Sequence, residues 1–128
     1  MRTIKFRAKS VHEDKWVYGF FVGDNDEPTI VGFDIWKDGS EEWREEKIEL
    51  DTLGQFTGLY DTCANEIYEG DIIRTNSDWK GIVKWNSNGY FFIKASDNED
   101  CISLGKMLSF ATFRIIGNIH DNPELINK

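Results

Sequence analysis

The chain has 128 residues, enough for one domain with its own core but too few for two domains joined by a linker. Its 23 acidic and 15 basic side chains give a net charge of -8, which disfavours nucleic acid as a partner, because phosphate contacts depend on Lys and Arg. Cys63 and Cys101 lack any CxxC or His neighbour, so neither zinc nor a disulfide framework is indicated. Without an apolar run long enough to cross a bilayer, a cytoplasmic protein is expected.

The sequence opens with two alternating runs that predict a β-hairpin. Residues 3 to 9 alternate polar and apolar, which predicts a strand with Lys5, Arg7 and Lys9 pointing outward as a solvated face. The second run begins after a polar break at residues 12 to 15. One face of that run carries Trp16, Tyr18, Phe20 and Val22. The aromatic content favours pleated, half-buried sheet surfaces.

The next stretch predicts a second hairpin. A loop of turn-forming residues at 23 to 28 leads into a strand at 29 to 36, and Asp38-Gly39 predicts the following turn. Residues 41 to 51 crowd acidic side chains together, and helix propensity alone would permit a helix there. We favour a polar edge strand, because charges on an edge discourage pairing between molecules.

The C-terminal half predicts an antiparallel meander. Strands are expected near residues 72 to 74, 81 to 85 and 90 to 95, with a corner at Gly70-Asp71 and a hairpin turn at Asn88-Gly89. Trp85 is interpreted as core. Residues 101 to 108 fit either a short helix or a strand, and 110 to 120 a strand bent or bulged at Gly117-Asn118. Pro123 suits the start of a final helical turn.

Together these elements predict a mostly β fold. It is expected to be one domain over residues 1–128, a small antiparallel sheet or barrel-like domain. The C-terminal half would hold an SH3-like meander, and the N-terminal half an additional hairpin layer. Such a likeness of pattern fixes no function.

Four blocks of the sequence resemble the YopX family of phage and prophage proteins. They are IKFRA at 4–8, GQFTGL at 54–59, EIYEGDI at 66–72 and IGNIHDNPEL at 116–125. The resemblance implies a β-rich fold, a phage or prophage origin in bacteria and an uncharacterised function, with no catalytic residues to carry over. One departure from the family pattern is Ala64, which stands where the family usually has Gly. Because a Cβ makes a left-handed backbone costlier, we expect a different shape for the turn at 61–65.

The residues of these blocks are interpreted as structural. They are Gly54, Gln55, Thr57, Gly58, Tyr68, Glu69, Gly70, Asp71, Gly117 and Asn118. For the glycines, backbone geometry at tight corners is a commoner reason than close approach of a ligand.

Catalytic and metal sites have only weak candidates. His120-Asp121 is more typical of a surface hydrogen-bonding pair than of a catalytic dyad. Glu66, Glu69 and Asp71 could gather as carboxylates, but one short acidic turn lacks the ligand count of a calcium loop. We therefore predict no catalytic residues, no metal and no cofactor, with Asp71 bonding local backbone amides.

Exposed aromatic rings provide the best candidate for function. Trp43, inside the acidic stretch, and Trp79, in the turn at 76 to 80, are hard to bury locally, although either could instead fold back as a lid. With Glu45 and Glu46 as the acidic rim, they predict a noncatalytic protein-binding or self-associating module. Its partner would be a host protein, a phage protein or another copy. The alternatives are a nucleic-acid-binding barrel that uses the basic first strand, and an unrecognised hydrolase.

Overall fold

The computed structural model describes residues 4–23, 26–35, 41–96 and 99–126, and the side chains of all of these except 33–35 and 41–43. The chain divides into two compact units, Met1–Phe56 and Thr57–Lys128. Each unit is built on an antiparallel sheet, so the prediction of a mostly β fold is confirmed.

The first unit is a sheet whose strands are ordered β4-β3-β2-β1-β5. Its strands are β1 (Phe6–Lys9), β2 (Trp16–Val22), β3 (Thr29–Ile35), β4 (Glu41–Lys47) and β5 (Gly54–Tyr60), of which β5 continues into the second unit. A 3-10 helix, Leu50–Thr52, precedes β5. The predicted opening hairpin and the polar edge strand are confirmed. The predicted turn at Asp38-Gly39 lies outside the described residues.

The core of the first unit is small. Ala8, Ile30 and Ile48 are at most 3% exposed. Four half-buried apolar side chains pack against them: Phe6, Val17, Phe21 and Leu53. Strands β2 and β3 approach closely at Gly19, where a Cβ would lie 2.2 Å from the carbonyl oxygen of Val31. Only glycine fits that position, because the clash would be with backbone.

The outward, solvated position predicted for Arg7 is wrong. This side chain is only 8% exposed. Its guanidinium carbon lies 4.7 Å from the centroid of the Trp16 ring, in the range of a cation–π contact. The alternation of β1 gives the face on which Arg7 lies, but a large ring on the neighbouring strand covers that face.

The second unit contains β6 (Glu66–Tyr68), beside the end of β5, and a sheet of order β10-β9-β8-β7-β11. The sheet strands are β7 (Asp71–Thr75), β8 (Lys80–Asn86), β9 (Tyr90–Ala95), β10 (Cys101–Ser103) and β11 (Phe113–Asn118). The predicted meander is confirmed as β7-β8-β9, but β10 and β11 are open edges among the described strands, so no closed barrel forms. The predicted bulge lies in β11, between Ile115 and Gly117.

A short helix, α1 (Leu104–Phe110), covers the core of the second unit. Residues 101 to 108, which fitted either a helix or a strand, contain both, because Ser103 ends β10 and caps α1 by accepting a hydrogen bond from the backbone N–H of Lys106. Leu104 and Met107 are buried by this helix. They join a core of Ile67, Ile73, Val83, Phe91, Ile93 and Phe113. A final 3-10 turn, Pro123–Leu125, has the predicted Pro at its start.

Two details of this unit differ from prediction. Trp85 is 46% exposed instead of core, because it lies two residues beyond buried Val83, towards the hairpin end of β8, and covers the ring of Phe91 edgewise. Ala64 has a left-handed backbone, with φ of +65°. The turn therefore keeps the conformation that glycine favours, although the Cβ of Ala64 makes it costlier.

Candidate binding surfaces

The predicted acidic site lies on β4, where Glu45 and Glu46 point to opposite faces of the strand. Glu45 is exposed, whereas Glu46 is half-buried on the opposite face of the strand. Trp43 pairs with Phe33 in the backbone register of β3 and β4, and its side chain lies outside the described part of the chain. The acidic rim therefore contains Glu45 but not Glu46.

Glu46 is held within the protein. Its carboxylate accepts hydrogen bonds from the Arg44 guanidinium and from the Ser10 hydroxyl, the latter at 3.1 Å. The hydrogen bond from Arg44 is the main cause of the lowered pKa of Glu46, and burial acts in the opposite direction. Since Ser10 immediately follows β1, this carboxylate ties the edge strand to the other side of the sheet.

Trp79 lies in the second unit and is half-buried against its core. The turn that carries it is closed by Thr75, whose backbone N–H donates to the Trp79 carbonyl at 2.9 Å. Trp79 lines a cleft of about 310 Å³ together with Ile102, Met107 and Phe110. Trp79 thus packs mainly on the core, as the alternative of a ring folded back as a lid predicts. The part of the ring that stays accessible faces an apolar cleft.

A strip of large side chains on β2 is the most exposed apolar surface of the first unit. Tyr18, Phe20 and Val22 are 49%, 54% and 44% exposed, and we call them the β2 strip. The strand register places Phe20 opposite Val31 and Val31 opposite Glu45, so these three side chains form a row on one face of the sheet. The strip therefore has a carboxylate on its β4 side.

Basic side chains lie on the other side of the β2 strip. Arg7 pairs directly with Tyr18, and Lys9 pairs with Trp16. The ammonium of Lys9 lies 5.7 Å from the Trp16 ring centroid, and that of Lys5 lies 5.4 Å from the Phe56 ring centroid. The face consequently has basic groups along β1 and large apolar side chains along β2, while β4 contributes both the exposed acid Glu45 and the exposed base Lys47.

Alternation in the sequence predicted which side chains of β2 share a face, but it did not predict that the face of the β2 strip is exposed. Trp16, Tyr18, Phe20 and Val22 alternate with Val17 and Phe21, so both sides of β2 are apolar. The interior side is fixed by Ile30 and Ile48, which pack on Val17 and Phe21 from later in the chain. The one local signal was the adjacent basic strand, whose charges share the face of the strip.

The acid and histidine candidates for chemistry take part in backbone and side-chain contacts. Asp71 is 1% exposed and accepts a hydrogen bond from the Tyr68 N–H at 2.7 Å, while Glu66 accepts one from the Tyr68 hydroxyl at 3.0 Å. The backbone N–H of His120 donates to the Asn118 side chain at 3.0 Å. Within the described ranges, no three His, Cys, Asp or Glu residues are grouped to hold a metal ion.

The block residues lie at corners and in local contacts. The Thr57 hydroxyl donates to the Ile67 carbonyl at 2.8 Å and links β5 to β6. Gly70 has φ of +94°, and its backbone bonds both to Val83 and to Ile119. At Gly117, a Cβ would lie 2.5 Å from the Asn122 side-chain oxygen. The contacts of Gly70 tie the corner before β7 to β8 and to the segment after β11, and Gly117 lets β11 lie close to the C-terminal turn.

Comparison with known proteins identifies relatives but names no activity. The family model described as YopX protein matches residues 5–127. A crystal structure of protein EF1440 from Enterococcus faecalis is similar at 22% identity with a TM-score of 0.65, covering 99% of this chain and 100% of that chain. No match was found among curated proteins. In the described residues, no helix is long and apolar enough to cross a membrane.

Proposed function

The chain belongs to the YopX protein family, and we propose that it is a noncatalytic protein-binding module. It would act as a phage or prophage accessory protein in the bacterial cytoplasm. The observation that carries the proposal is the β2 strip. Three large side chains about half exposed on one strand form a contiguous apolar patch, which soluble proteins use mainly for interaction.

The composition of the face favours a protein partner. Protein-binding patches usually have aromatic side chains at the centre and charged side chains at the rim. The rings supply most of the affinity, and the charges orient the partner as it approaches. Phe20 is the central ring, since it lies between Tyr18 and Val22 on β2 and opposite Val31 on β3. We therefore assign Phe20 as the anchor.

A second copy of the chain is the partner that fits this face best. The basic groups of β1 and the carboxylate of Glu45 lie on opposite sides of the β2 strip. In a pair related by a two-fold axis along the strands, the β2 strips of the two copies would pack on each other. The β1 side of each copy, with Lys9, would then lie against the β4 side of the other, where Glu45 is accompanied by exposed Lys47. Such an arrangement is self-complementary. Trp43 stays in the proposal as an anchor on β4, with Trp79 as second candidate.

Sedimentation velocity over a range of protein concentrations tests this proposal. We expect the wild type to dimerise with rising concentration, Phe20→Ser to remain monomeric, and Trp43→Ala to dimerise more weakly without a large loss of thermal stability. Tyr90→Ser is the matched control, because Tyr90 is 45% exposed but belongs to the second unit and lies outside the cleft of Trp79. A wild type that is monomeric throughout, or a Phe20→Ser dimer of unchanged affinity, contradicts the proposed interface.

Single-stranded nucleic acid is the second candidate, favoured by one observation. Lys9 lies opposite Trp16 and close to exposed Tyr18 on the adjacent strand, and rings on a sheet surface can stack on bases. The net charge of -8 opposes it. Fluorescence anisotropy with a labelled oligonucleotide separates the two: salt-sensitive binding that Phe20→Ser abolishes would favour nucleic acid over the dimer.

A further inference from the structure

Two arginines face each other across β7 and β11 in the second unit, and we propose that they bind the phosphate group of a small molecule. The strand register places Arg74 directly opposite Arg114, so both side chains leave the same face of the sheet. Both are exposed. The site is separate from the β2 strip, which belongs to the first unit.

The pairing of Arg74 with Arg114 is unfavourable unless an anion joins them. Like charges directly opposite on neighbouring strands destabilise a sheet. The Arg74 Nε lies 3.0 Å from the Asp78 carboxylate, an exposed ion pair that compensates the charge of only one of the two arginines. Within the described part of the chain, the Arg114 side chain has no ion pair or hydrogen bond. A bound anion would supply the missing negative charge.

The two arginines line a cleft of about 450 Å³. The rest of its lining is Thr62, Cys63, Thr75, Asn76, Thr112 and Phe113. None of these lining residues is acidic, although the chain has 23 acidic side chains against 15 basic ones. Guanidinium, hydroxyl and amide groups are donors that suit phosphate oxygens, and the Asp78 carboxylate that pairs with Arg74 lies outside this lining.

The walls of the cleft are held by hydrogen bonds between distant parts of the chain. Thr62 and Phe113 exchange two: the Thr62 N–H donates to the Phe113 carbonyl, and the Phe113 N–H donates to the Thr62 hydroxyl, each at 3.0 Å. Asn76 donates through its side chain to the Thr112 hydroxyl. The backbones of the two arginines are held in place by the pairing of β7 with β11. A ligand would thus meet a largely formed site, which lowers the ordering cost of binding.

The geometry indicates a small ligand. A cleft of this volume lies within the range of small-molecule sites, and the planar fork of arginine binds phosphate through two parallel hydrogen bonds. A polynucleotide would bring many further phosphates towards a chain of net charge -8. The ligand class is therefore a small phosphorylated molecule, with inorganic phosphate as its simplest probe.

Titration of the wild type with inorganic phosphate, followed by NMR against sodium chloride of equal ionic strength, tests the site. We expect shifts centred on the amides of Arg74, Asn76 and Arg114. Arg114→Gln should weaken phosphate binding by at least about tenfold, because it replaces a guanidinium that binds phosphate through two hydrogen bonds with a neutral amide. Lys84→Gln is the matched control, since it removes one exposed charge from the same sheet outside the cleft. Absence of localised shifts, or equal affinity of both variants, overturns the proposal.

Two further arms use the unaltered protein and different ligands. Cys63 lines the cleft and Cys101 does not, while both thiols are exposed, so phosphate should slow alkylation of Cys63 and leave that of Cys101 unchanged. Equal rates with and without phosphate count against the site. Adenosine monophosphate should bind at least as well as phosphate. An oligonucleotide that binds far more tightly than the mononucleotide would make a polynucleotide the ligand and contradict the small-molecule assignment.

Discussion

At the scale of single residues, Asp61 joins the turn after β5 to strand β11. Its carboxylate accepts hydrogen bonds from the backbone N–H groups of Cys63 at 2.9 Å, Asn65 at 2.8 Å and Ile115 at 3.0 Å. Burial alone would raise the pKa of this carboxyl, but the N–H donors outweigh it and the pKa is lowered. The charged form therefore stabilises the turn that contains left-handed Ala64.

Replacing Asp61 by Asn should destabilise the protein by about 1–3 kcal/mol at neutral pH, because buried N–H groups lose a charged acceptor. Since the folded pKa lies below the unfolded one, this stabilisation is complete above the ordinary pKa of aspartate and is lost as pH falls through the folded value. Urea unfolding at a series of acidic pH values measures both effects. Asp51→Asn, at an exposed position, should change neither; an equal loss there would contradict the role of Asp61.

At the scale of elements, β4 presents two glutamates with different roles. Glu46→Lys should lower the free energy of unfolding by about 1 kcal/mol, because it removes the contacts with Arg44 and Ser10 and adds a like charge beside Arg44. Glu45→Lys should leave stability nearly unchanged and reduce the association rate of the dimer instead. Chemical denaturation and association kinetics of the two variants check this, and equal stabilities would show that the Arg44 contact contributes nothing.

The strands could be predicted from the sequence, but their packing depends on contacts between distant residues. Period-two alternation located β1 and β2, and turn residues such as Gly70-Asp71 and Asn88-Gly89 bounded β7, β8 and β9, because both signals are local. Which side of β2 faces inward depends on Ile48, far along the chain. In the same way, alternation placed Arg7 on a face but could not show that Trp16 covers it. The exposure of Trp85 likewise depends on where the packed core ends along β8, beyond Val83.

At the scale of the whole molecule, the chain is predicted to unfold as one cooperative domain. The first unit buries few apolar side chains of its own, and β5 belongs to both units. We expect the amide resonances of Ala8 and Ile93, one in the core of each unit, to lose intensity at the same urea concentration. Separate midpoints would instead define two independently stable domains. A fragment of residues 1 to 50 lacks β5 and should be disordered by circular dichroism.

The pairing of β1 with β5 also has a consequence for synthesis on the ribosome. Phe6 pairs with Gln55, so β1 emerges well before the strand that covers this edge. During that interval β1 can pair with β2, but its other edge stays open to other nascent chains. Basic side chains on β1 oppose such pairing by mutual repulsion. We expect the like charges of Arg7 and Lys9, together with neighbouring Lys5, to disfavour pairing between the β1 strands of two nascent chains until β5 closes this edge.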